Sequence, residues 1–392
     1  MQYDFDTLHN RYGTDSEKYD FTSERGHRQD VLPMWVADMD FQTAPEIIEA
    51  LHCCVSHGIF GYTGSKRDYF DALAAWEKEH YRWEIREDWL VKTPGVVNAI
   101  ATAVRALTAP GDSVLITRPV YYPFSFAIEN NHRKLINSPL SLEDGKYRID
   151  FEDFEQKIIE NNVKLFIFCS PHNPIGRVWA KQELEQVGDI CHKHGVIVIS
   201  DEIHADLTFP GYQHTPLCSL KKEYEENTIT CTAPSKTFNL AGLATSNILI
   251  PNPALREKFI AEQKGAASDG VNQMGIAACK AAYAKGNPWL LQLKQYLAEN
   301  LAYVREALKE IPGISLIEPE GTYLLWLDCR ALGLNPEQME DFIENKARLW
   351  LDGGEMFGEE GIGFQRVNIA CPRATLKEAM ERLKEAVQQL EK

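Results

Sequence analysis

Five short apolar runs in the middle of the chain limit the fold more than any other feature of the sequence. Each is bounded by turn residues, and they lie at residues 114–117, 164–169, 196–200, 228–232 and 247–250. Runs of this length and composition are typical of strands that are buried on both faces of a largely parallel sheet. Helix-period stretches at 97–108 and 181–194 lie between them. This alternation predicts an α/β domain.

Beyond the middle of the chain the pattern changes. A long helical stretch at 289–310 and a late apolar run at 366–370 predict helices mixed with a few strands. We therefore predict a large α/β domain over 46–287 and a smaller α+β domain formed by 1–45 and 288–392. Because the amino-terminal part has no clear core of its own, we expect it to pack on the small domain and over the site.

Charge and cysteine content argue against several classes of protein. The formal net charge of -16 argues against binding to nucleic acid, which needs a basic face, and against an anionic membrane surface. No apolar stretch approaches the roughly 20 residues that span a bilayer. The nine cysteines are scattered and form no CxxC pair, which favours a reducing, cytoplasmic location. We see no metal site and expect no metal.

Polar residues follow three of the predicted strands. Asp201 comes directly after the run at 196–200, and Asn173 and Lys236 come shortly after two others. Because ligands gather at the carboxyl ends of the strands in open α/β sheets, we expect these side chains to converge. The sequence therefore predicts one polar site at this edge of the sheet.

Each of these residues has an ordinary alternative. Lys236 could be a surface lysine, Asp201 a helix N-cap or a metal ligand, and Asn173, which precedes a proline, part of a turn. In a functional site, a lysine at a buried strand end is activated for Schiff-base chemistry. A buried acid can pair with a cationic ring nitrogen. Further along the same edge, the first amides of a predicted helix, at Val96 and Val97, could bind phosphate.

The order of these residues resembles that of one known superfamily. A glycine turn, the aromatic pair Tyr121 and Tyr122, an Asn-Pro-x-Gly motif, the acid, a Ser-Lys pair and a late arginine follow one another. This is similar to fold-type I enzymes that bind pyridoxal 5′-phosphate (PLP), the aminotransferase class I/II superfamily. Five phrases also resemble the MalY/PatB group of carbon–sulfur β-lyases: WVADMDF at 35–41, GYTG at 61–64, SDEIH at 200–204, GEMFG at 354–358 and RVNIACPR at 366–373.

The resemblance covers essentially the whole chain and implies its fold and cofactor. The implied fold has a large domain with a mostly parallel seven-stranded sheet and a smaller α+β domain. The implied cofactor is PLP, carried by Lys236 as the catalytic residue and general base. Arg366 and Ala37 are implied to bind the amino-acid substrate, with the arginine on its α-carboxylate.

The other implied cofactor contacts involve the ring, its 3′-oxygen and the phosphate. They are made by Asp201 and Tyr121 to the ring, by Asn173 to the 3′-oxygen, and by Val96, Val97, Ser235 and a partner subunit's Tyr62 to the phosphate. His204 either contacts the 3′-oxygen or is a packed histidine. The enzyme is thus expected to be a homodimer that shares Tyr62 across its interface.

The implied reaction is α,β-elimination of L-cystathionine or related cysteine S-conjugates to a thiol (homocysteine), pyruvate and ammonia. The alternative is a PLP-dependent aminotransferase of the same superfamily, because both reactions use every residue named above. A non-catalytic regulator is a further alternative, against which the complete set of residues argues. One departure concerns Ala244, where aminotransferases usually have a phosphate-binding arginine eight residues after the lysine. One charge-assisted phosphate contact is therefore missing.

Overall fold

The structure, a computed structural model, describes residues 2–390. Its strands are β1 (Leu32–Pro33), β2 (Leu90–Thr93), β3 (Ser113–Ile116), β4 (Lys134–Asn137), β5 (Ser141–Glu143), β6 (Lys146–Arg148), β7 (Leu165–Cys169), β8 (Ile197–Asp201), β9 (Thr228–Thr232), β10 (Ser246–Leu249), β11 (Ser315–Ile317), β12 (Leu324–Asp328), β13 (Leu349–Trp350), β14 (Asp352–Gly353) and β15 (Phe364–Asn368). Its α-helices are α1 (Pro45–His57), α2 (Arg67–Tyr81), α3 (Val96–Leu107), α4 (Pro123–Glu129), α5 (Phe151–Glu160), α6 (Lys181–Lys193), α7 (Pro234–Thr237), α8 (Pro253–Gly265), α9 (Gln273–Lys285), α10 (Asn287–Leu308), α11 (Pro336–Asp341) and α12 (Arg373–Leu390).

The central sheet has seven strands in the order β2-β10-β9-β8-β7-β3-β4. Neighbouring strands from β9 to β4 are parallel, whereas β10 runs antiparallel to both β9 and β2. The mostly parallel seven-stranded sheet is therefore confirmed. The sequence runs did not include β2 and β4, because these strands lie at the two sides of the sheet and only some of their residues are buried.

Alternate side chains of β7 explain why helices cover both faces of the sheet. Phe166 and Phe168 pack in an apolar cluster with α5 and α6. Leu165 and Ile167 pack in another cluster with α3 and α8. Successive side chains of a strand point to opposite faces, so five consecutive buried residues need apolar cover on both sides. The helices provide this cover and leave the carboxyl ends of the strands open for a site.

A smaller antiparallel sheet has the order β11-β12-β15-β14. Its strand β15 carries Arg366, which lies opposite Trp326 of β12 and Asp352 of β14. Early in the chain, β1 pairs in parallel with β13, so the segment that follows β1 lies beside this sheet. The predicted division into domains remains a prediction, and its outermost residues 1, 391 and 392 lie outside the described part of the chain.

Two kinds of feature are absent from residues 2–390. No helix there has both the length and the apolar character needed to cross a membrane. No group of three or more His, Cys, Asp or Glu side chains there is arranged to hold a metal ion.

Candidate active site

A cavity of about 180 Å³ opens at the carboxyl ends of β7 and β8. The structure brings nine of the eleven predicted site residues to its wall: Ala37, Val96, Val97, Tyr121, Asn173, Asp201, His204, Ser235 and Lys236. The remaining two, Arg366 and Tyr62, are not among the lining residues. The expected convergence at this edge of the sheet is thus found, while the role of each residue is still a prediction.

Lys236 reaches the cavity from the short helix α7, which starts two residues after β9 ends. Its Nζ donates a hydrogen bond of 2.7 Å to the backbone carbonyl of Ala37. Burial lowers the pKa of Lys236 to about 8, and nearby Arg366 also lowers it, while Asp38 and Asp201 raise it. A buried amine with a lowered pKa is partly neutral near physiological pH and can act as a nucleophile or base.

Asp201 is the last residue of β8 and its carboxyl is almost completely buried. Oδ1 accepts a hydrogen bond of 3.2 Å from the backbone N–H of Ile203. Burial raises the pKa of Asp201 to about 7, although the Ile203 hydrogen bond and the charge of Lys236 lower it. An acid held in this way gains from a cation placed against it, because the opposite charge favours the ionised form.

Arg366 lies beside the cavity and is connected to it through Asn173. Its Nη1 donates to Asn173 Oδ1 at 3.0 Å, and its Nη2 donates to the carbonyl of Trp35 at 2.8 Å. Nη2 also pairs with the buried carboxylate of Asp352, directly across the β14–β15 ladder. The arginine is 2% exposed, and its Nε has no hydrogen-bond partner among the described residues. Three of the five guanidinium N–H groups donate in these bonds, so the Nε–H and one Nη1–H remain available for a ligand.

The amino terminus of α3 provides the candidate anion site. Val96 and Val97 are the first two residues of this twelve-residue helix and line the cavity. The first amides of a helix lack acceptors within the helix and carry the positive end of its dipole. Ser235 and Ala244 also line the cavity, and Lys236 is the one Lys or Arg among the lining residues. Position 244, where aminotransferases of this superfamily usually have an arginine, thus lies in the cavity wall, and its alanine adds no positive charge there.

Tyr121 and His204 complete the wall. Tyr121 packs edge-on against Phe124, with ring centroids 5.9 Å apart. His204 is 3% exposed, and its Nδ1 has no partner among the described residues. Burial, together with the charges of Lys236 and Arg366, lowers the pKa of His204 to about 3. The ring is therefore neutral near physiological pH, and the contact of His204 with the 3′-oxygen stays a prediction.

Tyr62 stands apart from the cavity. Its side chain is fully exposed, in an irregular segment between α1 and α2. Nearby Ile59 and Phe60 are also large exposed apolar residues, at 66% and 63%. The sharing of Tyr62 with a partner subunit therefore stays a prediction.

Two residues of the site were missed from the sequence. Asp352 was missed because its pairing with Arg366 depends on the register of two strands. Tyr323 was missed as well, and its hydroxyl donates to the carbonyl of Ala37 at 3.0 Å. The available signal for Tyr323 was its hydroxyl-bearing side chain at the start of an apolar run that continues to Leu327.

Comparisons with known proteins agree with this geometry. The sequence matches the family model for aminotransferase class I and II over residues 29–383. It is 42% identical over 384 residues to cystathionine beta-lyase PatB of Bacillus subtilis (strain 168), covering 98% of this chain and 99% of that protein. It is 34% identical over 390 residues to protein MalY of Escherichia coli (strain K12), with coverages of 98% and 99%. The crystal structure of cystalysin from Treponema denticola, which contains a pyridoxal 5′-phosphate cofactor, has a TM-score of 0.96 and 41% identity, covering 100% of both chains.

These similarities extend over almost the whole chain. They confirm the resemblance to the MalY/PatB group and the fold-type I architecture that it implied. All residues that line the cavity lie within the part of the chain that the family model matches. The chain belongs to the aminotransferase class I and II family.

Proposed function

We propose that this chain is a PLP-dependent carbon–sulfur β-lyase. With water, it converts L-cystathionine or a related cysteine S-conjugate into a thiol (homocysteine from cystathionine), pyruvate and ammonia. The observation that carries the proposal is that the partly buried Lys236 and the buried Asp201 line one cavity, in a chain 42% identical to a cystathionine beta-lyase.

The residues of the cavity fit PLP group by group. Lys236 offers an amine with a lowered pKa for the aldehyde, and Asp201 offers a buried carboxyl for the protonated ring nitrogen. The free amides at the start of α3 suit the phosphate. Asn173 uses its amide oxygen to accept from Arg366, so its amide nitrogen is left to donate to the 3′-oxygen. Each polar part of the cofactor therefore has a partner of the appropriate type.

When bound, PLP supplies an electron sink for the negative charge left at the substrate Cα. Asp201 stays ionised beside the positive ring nitrogen and so keeps the proton there. Lys236, whose pKa is about 8, removes the Cα proton in its neutral form. The Cβ–S bond then breaks with both electrons on sulfur, and Lys236 can return its proton to that sulfur.

Arg366 orients the substrate for this proton transfer. Its guanidinium is held on three sides by Trp35, Asn173 and Asp352, which limits the directions from which a carboxylate can approach. Binding the α-carboxylate at the remaining donors, beside the backbone of Ala37, would bring the Cα proton towards Lys236. A fixed orientation of this kind lowers the entropic cost of the reaction.

An aminotransferase is the alternative, and it needs the same residues. Lys236 would then deliver the proton to a carbon of the cofactor, and the Cβ–S bond would stay intact. Ala244 supports the lyase, because aminotransferases of this superfamily usually have an arginine at this position. The two reactions differ in whether a keto acid is needed as acceptor, which is a direct experimental distinction.

A homodimer is part of the proposal, with Tyr62 of one subunit contacting the phosphate bound by the other. The supporting observation is the exposed apolar surface formed by Val55, Ile59, Phe60 and Tyr62. A groove of about 670 Å³ lies next to it between α1 and α9. Contiguous exposed apolar surface of this kind commonly marks a protein–protein interface.

A cytoplasmic location is also proposed. All nine cysteines are free, and seven of them are buried. Buried free thiols are compatible with a reducing compartment, where disulfides are rare. The acidic net charge of -16 is the reason for proposing neither nucleic acid nor membrane as a partner.

The test is chemical trapping of the cofactor. After incubation with PLP and borohydride reduction, peptide mass spectrometry should find the reduced adduct on Lys236. Lys236→Ala should lose both the adduct and all measurable turnover. Lys193→Ala, at an exposed lysine paired with Glu155, should keep both. An adduct at another lysine, or wild-type turnover by Lys236→Ala, would contradict the proposal.

A further inference from the structure

The backbone of residues 34–41, here called the wall segment, contacts both cationic groups of the site. The carbonyl of Ala37 accepts from Lys236 Nζ at 2.7 Å. Two residues earlier, the carbonyl of Trp35 accepts from Arg366 Nη2 at 2.8 Å. The proposed base and the proposed carboxylate-binding residue therefore both depend on the position of one short stretch of backbone.

Two asparagines hold the backbone of the wall segment from the body of the protein. Asn368 Nδ2 donates to the carbonyls of Val36 and Asp38. Asn239, three residues after the proposed base, accepts from the N–H of Met39 at 3.0 Å and donates to its carbonyl at 2.9 Å. These bonds hold the wall segment against β15 and against the loop that follows α7.

Two cations from the amino-terminal part of the chain hold the same segment by its side chains. Arg11 contacts Asp38 at 2.6 Å and Asp40 at 2.8 Å. Lys18 contacts Asp40 at 2.8 Å and Asp38 at 3.7 Å. The result is a cluster of two acids and two bases, in which each base faces both acids.

The burial of Lys18 distinguishes this cluster from an ordinary surface ion pair. Its side chain is 1% exposed, and that of Asp40 is 7% exposed. Moving an ammonium out of water is costly unless opposite charges surround it closely. Two carboxylates of the wall segment surround it here, one residue on each side of Met39. A displacement of the wall segment would therefore move Asp38 and Asp40 away from the buried ammonium of Lys18.

We propose that Arg11 and Lys18 are positioning residues for the reaction, because they hold the wall segment where its carbonyls meet Lys236 and Arg366. This inference rests on the proposed function, since it concerns the base and the carboxylate-binding residue of that reaction. Arg11 and Lys18 are here called the latch residues. They make no hydrogen bond or ion pair with the proposed phosphate-binding residues Val96, Val97 and Ser235, so the inference does not involve the cofactor's phosphate contacts.

The test compares Lys18→Met and Arg11→Gln with a matched control. The control is Arg28→Met, which removes an exposed arginine of the same amino-terminal part, paired with Asp30. We expect kcat/KM to fall at least about tenfold in both latch variants, since a small misplacement of reacting groups has effects of this size. The PLP dissociation constant should stay within about twofold of wild type, and Arg28→Met should match wild type in both measurements.

Two further measurements separate positioning from general stabilisation. Hydrogen–deuterium exchange should rise in the wall segment and not throughout the central sheet. Arg11→Lys, which keeps the charge, should recover most of the kcat/KM lost in Arg11→Gln. If Lys18→Met does not fold, the double variant Lys18→Met/Asp40→Asn, which leaves no unpaired buried charge at that point, takes its place with the same expected loss.

The outcomes distinguish the inference from the proposed function. If wild type binds PLP and turns over while the latch variants keep kcat/KM within about twofold of it, the inference is overturned and the function stands. Exchange that rises equally in all elements also overturns the inference. A wild-type protein that binds no PLP overturns the proposed function, and the inference with it.

Discussion

Asn173 and Arg366 are joined by a hydrogen bond of 3.0 Å, from Nη1 of the arginine to Oδ1 of the asparagine. The bond connects the carboxyl end of β7 in the central sheet to β15 in the smaller sheet. It also determines which end of the asparagine amide faces the arginine, since a guanidinium can only donate. The amide nitrogen is thereby left to donate to another acceptor, which we propose to be the cofactor's 3′-oxygen.

Asn173→Ala should therefore affect both substrate and cofactor binding. We expect KM for the amino acid to rise by about one order of magnitude, since a hydrogen bond to a charged group is worth about 1.5–3 kcal/mol. The PLP dissociation constant should rise as well. Steady-state kinetics and a fluorescence titration with PLP measure the two effects. Asn345→Ala, at an exposed asparagine bonded to Asp341, is the control, and equal behaviour of the two variants would contradict the assignment.

Asp201 should make the stability of the protein prepared without cofactor depend on pH. Its pKa is raised by burial to about 7, above the unfolded value of about 3.9. Its contribution to the free energy of unfolding is therefore fully present below about pH 4 and is lost as the pH rises through about 7. The difference of about three units corresponds to at most about 4 kcal/mol.

Urea unfolding at several pH values tests this prediction. Asp201→Asn keeps the shape of the carboxyl without its charge, so this variant should lose less stability than wild type as the pH rises. Asp341→Asn, at an exposed position, should follow wild type. Added PLP should reduce the pH dependence of wild type, because a cation beside Asp201 favours its ionised form. Parallel curves for wild type and Asp201→Asn would argue against the buried acid.

Arg366 cannot be removed without affecting Asp352. Both side chains are at most 3% exposed and they form an ion pair, so Arg366→Ala would leave a carboxylate buried without its partner. The double variant Arg366→Met/Asp352→Asn avoids this. We expect its KM for the amino acid to rise by about two orders of magnitude, which corresponds to about 3 kcal/mol, while PLP binding is retained. Steady-state kinetics would refute the assignment if KM stayed at the wild-type value.

Mixed dimers test the proposed sharing of Tyr62 across the interface. Tyr62→Ala chains and Lys236→Ala chains should each have low activity when alone. A dimer with one chain of each kind has one site with both residues intact if Tyr62 acts in the partner's cavity, so activity should return on mixing. If Tyr62 acted within its own chain, every site would lack one residue and mixing would restore nothing. Activity measured after unfolding and refolding the two variants together decides between these cases.

The sequence predicted the parts of the fold that depend on local pattern. Apolar runs such as the one ending at Cys169 became central strands, because burial on both faces requires apolar residues at every position. The half-exposed strands β2 and β4 were missed because their composition is mixed. The seven-stranded sheet came from the resemblance, not from the runs.

The site was predictable where a residue lies at the carboxyl end of a strand or shortly after it. Asp201 and Asn173 were found for this reason, and nine predicted residues line one cavity. The Arg366–Asp352 pair and the contacts of Arg11 and Lys18 with the wall segment were not found. They join residues that are distant in sequence through strand register and loop packing, which no local pattern records. Tyr62 stays a prediction, because its proposed contact requires a second chain.

The most direct test of the account is product formation from L-cystathionine by the purified PLP-loaded protein without any keto acid. The account predicts sustained turnover, with pyruvate, ammonia and homocysteine formed in equal amounts, and no change in rate when a keto acid is added. Turnover that stops without a keto acid acceptor, with the carbon–sulfur bond of the substrate intact in the product, would contradict it.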